Sequence, residues 1–193
     1  KGGKSAPVRV AGWDSGVYAP IFRDRLVTDS AGKPLFIAFD VHENPSKSEL
    51  VPIPAELRDR LPTMKSRMKG LSDLQSNVDS AEASEVKAAL SQLKRDEYKA
   101  VVEELSLAGN YSHGTHVAGI AMAGNPYARL VNARLEFGYK LLPDPCPSLE
   151  LAQKNAKNMK AYVDFFRKNG VRVVNMSWGG TAKSVEGELE LCN

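Results

Sequence analysis

Apolar residues along this chain occur in two patterns, short runs that are typical of strands and longer stretches with helical spacing. Four short runs predict strands at residues 7–13, 35–41, 129–135 and 171–177. The longest amphipathic stretch, from about Ser148 to Asn169, predicts a helix with one apolar face, followed by a left-handed residue at Gly170. Small residues at 113–123 predict a further helix that ends at Gly124.

The order of these elements predicts the class of fold. Strands that alternate with helices pair in parallel when their connections cross over in the usual right-handed sense, and the helices then cover the sheet. We therefore expect an α/β fold of three layers, with a mainly parallel sheet and helices on both of its faces.

Residues 43–106 interrupt this alternation with a segment of different composition. Of these 64 residues, 12 are acidic and 10 are basic, and Tyr98 is the sole aromatic residue. Apolar residues recur in two stripes with helical spacing, the second of which spans residues 86–105. We interpret the segment as a charged helical hairpin inserted into one domain, which is formed by residues 1–42 and 107–193. The insertion is either an amphipathic surface element or an arm for oligomerisation or inhibition.

Composition and charge exclude several classes of protein. The chain has 193 residues, of which 42% are hydrophobic and 25% charged, and this is typical of a globular protein rather than a disordered one. No apolar run approaches the roughly 20 residues that a membrane-spanning helix needs. No apolar signal region opens the sequence. The 26 basic and 23 acidic residues are well mixed, with a net charge of +3, so a nucleic-acid interface is not indicated.

The two cysteines, Cys146 and Cys192, are too few for a disulfide scaffold. They belong to no CxxC motif and no Cys/His cluster, so a structural zinc site is not expected. Their spacing does not decide whether they pair with each other or remain free.

Asp14 follows the first predicted strand, in the turn Asp14-Ser15-Gly16. Parallel α/β sheets bind ligands at the carboxyl ends of their strands, so this carboxylate would lie at a candidate site. The same three residues are common in turns, and by themselves they indicate only the end of a strand.

Two histidines occur in the sequence SHGTHVAG, just before the stretch of small residues. We expect His113 at the N-terminus of the predicted helix, where Gly114 allows close backbone packing and the helix dipole favours the neutral imidazole. A metal site that uses both histidines is the alternative, but no HExxH pattern and no nearby third ligand supports it. We expect His116 to be a hydrogen-bonded packing residue.

The last predicted strand runs into Ser177-Trp178-Gly179-Gly180. An apolar strand that ends in glycines leaves backbone N–H and C=O groups free along an accessible edge. An extended peptide can join such an edge as an added strand. A buried strand that enters a glycine turn is the alternative interpretation.

Taken together, the three segments resemble the motifs of the subtilisin-like serine proteases (subtilases, the peptidase S8 family). VRVAGWDSG resembles the aspartate motif, SHGTHVAGIAMAG the histidine motif and VVNMSWGG the substrate-binding strand, in the order that the family has them. The resemblance covers residues 7–41 and 107–182. It implies a subtilisin-like catalytic domain, of which this chain holds the N-terminal part.

The resemblance implies hydrolysis of peptide bonds in polypeptide substrates by an Asp-His-Ser triad. His113 would move the proton between the serine and the leaving amine, and Asp14 would hold the histidine ring. Ser177, Trp178 and Gly179 would bind the substrate backbone and form pockets that prefer apolar side chains upstream of the cut. Members of the family are mostly secreted or otherwise extracytoplasmic, and we expect neither a cofactor nor a metal in the reaction.

The sequence departs from the family pattern in its nucleophile. The family carries that serine in a Gly-Thr-Ser-x-Ala/Ser motif, which does not occur in these 193 residues, and neither Ser177 nor Ser184 has its context. The asparagine that donates to the oxyanion also belongs downstream of the substrate strand. We therefore expect a longer protease whose C-terminal half supplies both groups, so that this chain alone is inactive. A propeptide is a further expected partner, and a truncated inactive relative that binds peptides or proteins is the alternative.

Two connections also differ from the family pattern. The insertion separates Asp14 from His113 by 99 residues, which costs little because the entropy of loop closure grows only with the logarithm of length. The short passage Gly124-Asn125-Pro126 stands where many relatives have a loop that forms a strong calcium site. We therefore expect no calcium at this position.

Overall fold

The computed structural model describes residues 6–192. Its elements in chain order are β1 (Val8–Asp14), β2 (Phe36–Ala38), α1 (Leu61–Gln75), α2 (Ala81–Ser91), α3 (Tyr98–Met122), β3 (Ala128–Arg134), α4 (Leu149–Lys168), β4 (Val171–Asn175) and α5 (Ala182–Cys192). The chain divides into two compact units. The sheet unit comprises the described residues up to Val51, Tyr111–Gly138 and those from Leu142 onwards, and the helical unit comprises Pro52–Asn110 and Tyr139–Leu141.

The sheet unit contains a four-stranded sheet in the order β2-β3-β1-β4, and all three pairs of strands are parallel. β1 lies between β3 and β4, and Asp14 at its carboxyl end is in register with Arg134. The parallel pairing confirms the predicted α/β class. It also brings the carboxyl ends of all four strands to one edge of the sheet.

Alternating side chains of β1 and β3 build a core on each face of the sheet. On one face, Val10 and Leu130 pack with Met122 of α3. On the other face, Trp13 packs against Tyr162 of α4 with 4.9 Å between the ring centroids. Helix, sheet and helix therefore form three layers, as the alternation of apolar runs and helical stretches predicts.

The predicted strand at residues 35–41 is shorter in the structure, where it covers only Phe36–Ala38. The reason is a side chain that competes with the sheet for backbone hydrogens. The Asp40 carboxylate accepts the backbone N–H groups of His42 (2.9 Å) and Asn44 (2.8 Å), and this turn ends the extended conformation.

Helix α3 begins at Tyr98, whereas the sequence predicts a helix that begins at residue 113. The apolar residues between these points continue the helical spacing, and Leu107 among them is buried. A single glycine, Gly109, lowers helix stability by only about 1 kcal/mol and does not end the helix. The stripe predicted as one helix at residues 86–105 is divided between α2 and α3.

The helical unit contains α1, α2 and the part of α3 up to Asn110. Ser80 caps α2, since its hydroxyl accepts a backbone N–H of the first turn at 3.0 Å. The backbones of α1 and α2 approach closely at Gly70, where a Cβ atom would lie 2.2 Å from the carbonyl oxygen of Glu82. The predicted insertion, residues 43–106, shares residues 52–106 with this unit.

Helix α4 has nearly the predicted bounds. Ser148 caps it by accepting the N–H of Leu151 at 3.1 Å, and Gly170 after its end has a φ of 62°. A disulfide between Cys146 and Cys192 joins the segment before α4 to the end of α5, a pairing that the cysteine spacing left open. None of the helices described is both long and apolar enough to cross a membrane.

Replacing Leu130 by alanine should lower the free energy of unfolding by about 2–5 kcal/mol, because the side chain is completely buried and the smaller residue leaves a cavity. Leu142→Ala is the control, since Leu142 is 52% exposed and its replacement should cost less than about 0.5 kcal/mol. Urea unfolding followed by circular dichroism measures both values. Equal losses in the two variants would contradict this assignment of the core.

Candidate active site

Asp14 is the last residue of β1 and lies at the carboxyl edge of the sheet. Its backbone carbonyl accepts the N–H of Leu135 at 2.8 Å, which ties the end of β1 to the residue after β3. Its side chain is only 2% exposed. The strand therefore delivers a buried carboxylate to the edge at which α/β proteins bind ligands.

His113 meets this carboxylate from α3. Its Nδ1 atom lies 2.8 Å from Oδ1 of Asp14, although 99 residues separate the two in the chain. The histidine side chain is 47% exposed, so the ring reaches from the buried carboxylate to solvent. The structure thus brings together two residues that the sequence analysis selected from separate motifs.

The acceptor at Nδ1 determines which ring nitrogen is basic. An ionised carboxylate can only accept hydrogen bonds, so the Nδ1 atom of a neutral His113 carries the proton and donates it to Asp14. The lone pair then resides on Nε2. A histidine in this tautomer can take a proton from a group that approaches Nε2 and can return it later.

The turn after β1 supplies a second donor to Asp14. Ser15, which is fully buried, donates its backbone N–H to the same Oδ1 atom at 2.7 Å. Oδ2 of Asp14 is buried and has no hydrogen-bond partner among the described residues. The hydrogen bonds of the carboxylate therefore converge on Oδ1, the atom that His113 also contacts.

Gly114 explains how α3 comes close enough for this contact. A Cβ atom at Gly114 would lie 2.3 Å from the backbone oxygen of Gly16 and 2.9 Å from its nitrogen. Real Cβ atoms do not approach backbone atoms so closely, so any other residue would push the helix away. Gly16 itself has a φ of 101°, a conformation that side chains disfavour.

His113 does not lie at a helix N-terminus, and this corrects the expectation from sequence. It lies within the helix Tyr98–Met122, about four turns after the first residue. The field of the helix dipole acts mainly within the terminal turns, so the argument from the dipole does not apply to this imidazole. His116 was expected to be a packing residue, but the structure leaves it exposed.

The segment predicted to bind substrate follows β4, which lies at an edge of the sheet beside β1. The strand ends at Asn175, two residues before the predicted end, and Asn175 donates its side-chain N–H to the hydroxyl of Ser177 at 3.0 Å. Ser177 and Gly179 are exposed. Their backbone therefore lies on the surface, next to the strand that carries Asp14.

The ring of Trp178 packs toward the core. It makes an edge contact with Trp13 at 5.5 Å between centroids, and its Nε1–H donates to the backbone carbonyl of Trp13. The ring of Phe137 also contacts Trp178, with 6.4 Å between the ring centroids. Because Trp13 immediately precedes Asp14, this contact fixes the segment beside the candidate site.

Histidines can also indicate a metal site. Within residues 6–192, no group of three or more His, Cys, Asp and Glu side chains is arranged to hold a metal ion. The three histidines of the chain are His42, His113 and His116. Of these, His113 has a ring nitrogen that is hydrogen-bonded to the carboxylate of Asp14.

The candidate site also contains Ser15, Tyr18 and Thr115, which the sequence did not identify as parts of it. The hydroxyl of Ser15 accepts the backbone N–H of Gly114 at 3.0 Å, and the hydroxyl of Thr115 accepts the backbone N–H of Tyr18 at 3.0 Å. Ser15 and Thr115 do lie within the two quoted motifs, and that position was the available signal. Their partners depend on how α3 lies against the turn after β1, which sequence spacing does not define.

The model of the subtilase family, peptidase S8, matches residues 9–191. Neither a curated protein nor a solved structure gives a significant match. The matched range includes Asp14, His113 and residues 177–179.

Tyr162 supports the strand next to the site, and it leads to a prediction about alkaline stability. The buried hydroxyl donates to the backbone carbonyl of Arg134, and burial raises the pKa of Tyr162. Above pH ~10 the unfolded chain loses this proton and the folded chain keeps it, so the free energy of unfolding falls with pH by up to about 1.4 kcal/mol per unit. Tyr162→Phe should remove this part of the decline. Parallel stability curves for the two proteins between pH 9 and 11, measured by urea unfolding, would contradict the assignment.

Gly114→Ala should destabilise the sheet unit by about 2 kcal/mol or more, since the added Cβ must displace the backbone of Gly16. Gly119→Ala is a matched control on the same helix, because a Cβ there meets nothing within 4 Å. That replacement should stabilise the chain by about 0.5–1 kcal/mol through helix propensity. Thermal and urea unfolding compare the two variants. A neutral Gly114→Ala would show that the close approach is not required.

Proposed function

Since the chain belongs to the subtilase family of serine peptidases, we propose that it is part of an endopeptidase in which Asp14 and His113 act with a serine nucleophile. The observation that carries the proposal is the 2.8 Å contact between Asp14 Oδ1 and His113 Nδ1 at the carboxyl edge of the sheet. Polypeptides are the substrate class that the family implies.

The proposed reaction uses the two ends of the His113 ring. Nε2 takes the proton of the serine hydroxyl as its oxygen bonds to the scissile carbonyl carbon, and the proton then passes to the leaving amine as the C–N bond breaks. Water hydrolyses the acyl-enzyme by the same proton route in reverse. Asp14 keeps Nδ1 protonated and stabilises the imidazolium ion, and its burial strengthens that electrostatic interaction.

We propose that residues 177–179 bind the substrate backbone. Ser177 and Gly179 are exposed next to β4, so their N–H and C=O groups are accessible to an extended peptide. Trp178 has a structural part in this proposal, because its contacts with Trp13 hold the segment beside Asp14. The uncovered part of its ring would form the wall that favours apolar side chains upstream of the cut.

The nucleophile and the oxyanion donor are proposed to come from polypeptide outside these 193 residues. No serine in the sequence has the Gly-Thr-Ser-x-Ala/Ser context of the family. The outer edge of the sheet supports this proposal, since Val173 and Val174 of β4 are 50% and 41% exposed. An edge strand with exposed apolar side chains is normally covered by a further segment. Residues 1–193 alone are therefore proposed to be catalytically inactive.

Two observations bear on the cellular compartment of the protein, namely its disulfide and its family. Cys146 and Cys192 are joined, and such bonds persist mainly in oxidising surroundings. Subtilases are commonly extracellular. We therefore propose that the protein acts in a secreted or otherwise extracytoplasmic location.

The test compares residues 1–193 with a longer polypeptide that contains these residues and continues past Asn193 along the coding sequence. The longer protein should react with a fluorophosphonate probe and hydrolyse casein, whereas residues 1–193 should do neither. In the longer protein, His113→Ala and Asp14→Asn should each lower kcat by about 10⁴-fold, as losses of triad members do. His42→Ala is the control and should retain full activity, since this exposed histidine hydrogen-bonds Asp40 through its backbone N–H, which the substitution keeps.

Two outcomes would overturn the proposal. One is a stop codon directly after Asn193, and the other is a longer protein whose hydrolysis survives His113→Ala. The exposed edge of β4 then favours a second candidate function, a module that binds extended peptides by strand addition. That function requires residues 1–193 to be monomeric and to bind an unstructured peptide such as a casein fragment in isothermal calorimetry.

A further inference from the structure

The position of His113 within α3 creates a geometric requirement. A residue in the middle of a 25-residue helix cannot adjust its backbone independently of its neighbours. The 2.8 Å contact with Asp14 therefore depends on how the whole turn around Gly114 lies against the loop after β1. Rotation of the helix by a fraction of a turn would break the contact.

Two hydrogen bonds fix this turn, and each uses a hydroxyl on one side and a backbone N–H on the other. Ser15 Oγ accepts the N–H of Gly114, and Thr115 Oγ1 accepts the N–H of Tyr18, both at 3.0 Å. The donors and acceptors are exchanged between the loop and the helix. We call this reciprocal pair of bonds the hydroxyl clasp.

Ser15 differs from the other members of the clasp because it also contacts the carboxylate. Its backbone N–H donates to Asp14 Oδ1 at 2.7 Å, the atom that lies 2.8 Å from His113. Its side chain is fully buried, so water does not compete for the hydrogen bond that its hydroxyl accepts. One residue thus holds the acceptor atom of Asp14 by its amide and the helix turn of His113 by its hydroxyl.

We propose that Ser15 is a positioning residue for the Asp14–His113 pair. Its hydroxyl fixes the position of the helix turn 113–115 against the loop after β1, and its backbone N–H fixes the orientation of the Asp14 carboxylate. The catalytic consequence rests on the proposed function, since the tautomer with a lone pair on Nε2 affects a reaction only if His113 acts as a base. The positional effect itself is a property of residues 1–193 and can be measured without any reaction.

The test measures the tautomer ratio of the neutral His113 ring by long-range ¹H–¹⁵N correlation spectra of residues 1–193. In the unmodified chain, the form with the proton on Nδ1 should dominate. Ser15→Ala removes the bond to Gly114 and should lower the ratio of the Nδ1–H to the Nε2–H form by about three- to tenfold, which corresponds to one hydrogen bond. Thr115→Val removes the other bond of the clasp with little change in shape and should lower the ratio in the same direction.

Ser80→Ala is the control for a general loss of stability. It removes the same kind of bond, from a hydroxyl to a helix N–H, but in the helical unit. The spectrum of the backbone amides of the core reports whether each variant is folded. An unchanged ratio in both Ser15→Ala and Thr115→Val, or an equal fall in Ser80→Ala, would refute the positioning role.

The two proposals fail separately. A longer protein that does not react with the fluorophosphonate would overturn the proposed protease, whatever the tautomer ratios are. An unchanged ratio in the clasp variants would overturn the role of Ser15 and leave the proposed protease standing. In an active protein, Ser15→Ala removes one hydrogen bond that positions His113, so it should lower kcat by about three- to tenfold and leave KM within about twofold.

Discussion

The site depends on one close approach of two backbones, that of α3 at Gly114 and that of the turn after β1 at Gly16. Only a glycine fits there, because a Cβ atom would lie 2.3 Å from the carbonyl oxygen of Gly16. This approach brings His113 to Asp14 and lets the hydroxyl of Ser15 reach the helix backbone. The sheet fixes the position of Asp14, because the pairing of β1 with β3 places this residue opposite Arg134.

The sequence was sufficient to predict the parts of the fold that follow from hydrophobic pattern. The four strands, the parallel pairing and the long helix capped by Ser148 all have local signals in apolar spacing, caps and glycines. The start of α3 was predicted wrongly. The small residues at 113–123 indicated a helix that begins at residue 113, but they are only the last part of a longer helix. A single glycine in an otherwise helical stretch gives no reliable boundary.

The candidate site was predictable as a set of motifs but not as a geometry. Asp14 and His113 were recognisable because their motifs occur together, in the order that the family has them, and the structure adds that they are 2.8 Å apart. Ser15 could not be assigned a part, since its hydroxyl bonds to a residue 99 positions away. The disulfide between Cys146 and Cys192 was undecided for the same reason, because pairing depends on tertiary placement.

The most direct measurement is a crystal structure of the longer polypeptide after reaction with diisopropyl fluorophosphate. We predict a phosphorylated serine from beyond Asn193, with its oxygen within hydrogen-bond distance of His113 Nε2 while Nδ1 still contacts Asp14. A covalent adduct elsewhere in the protein, or a modified serine whose neighbouring base is not His113, would contradict the account.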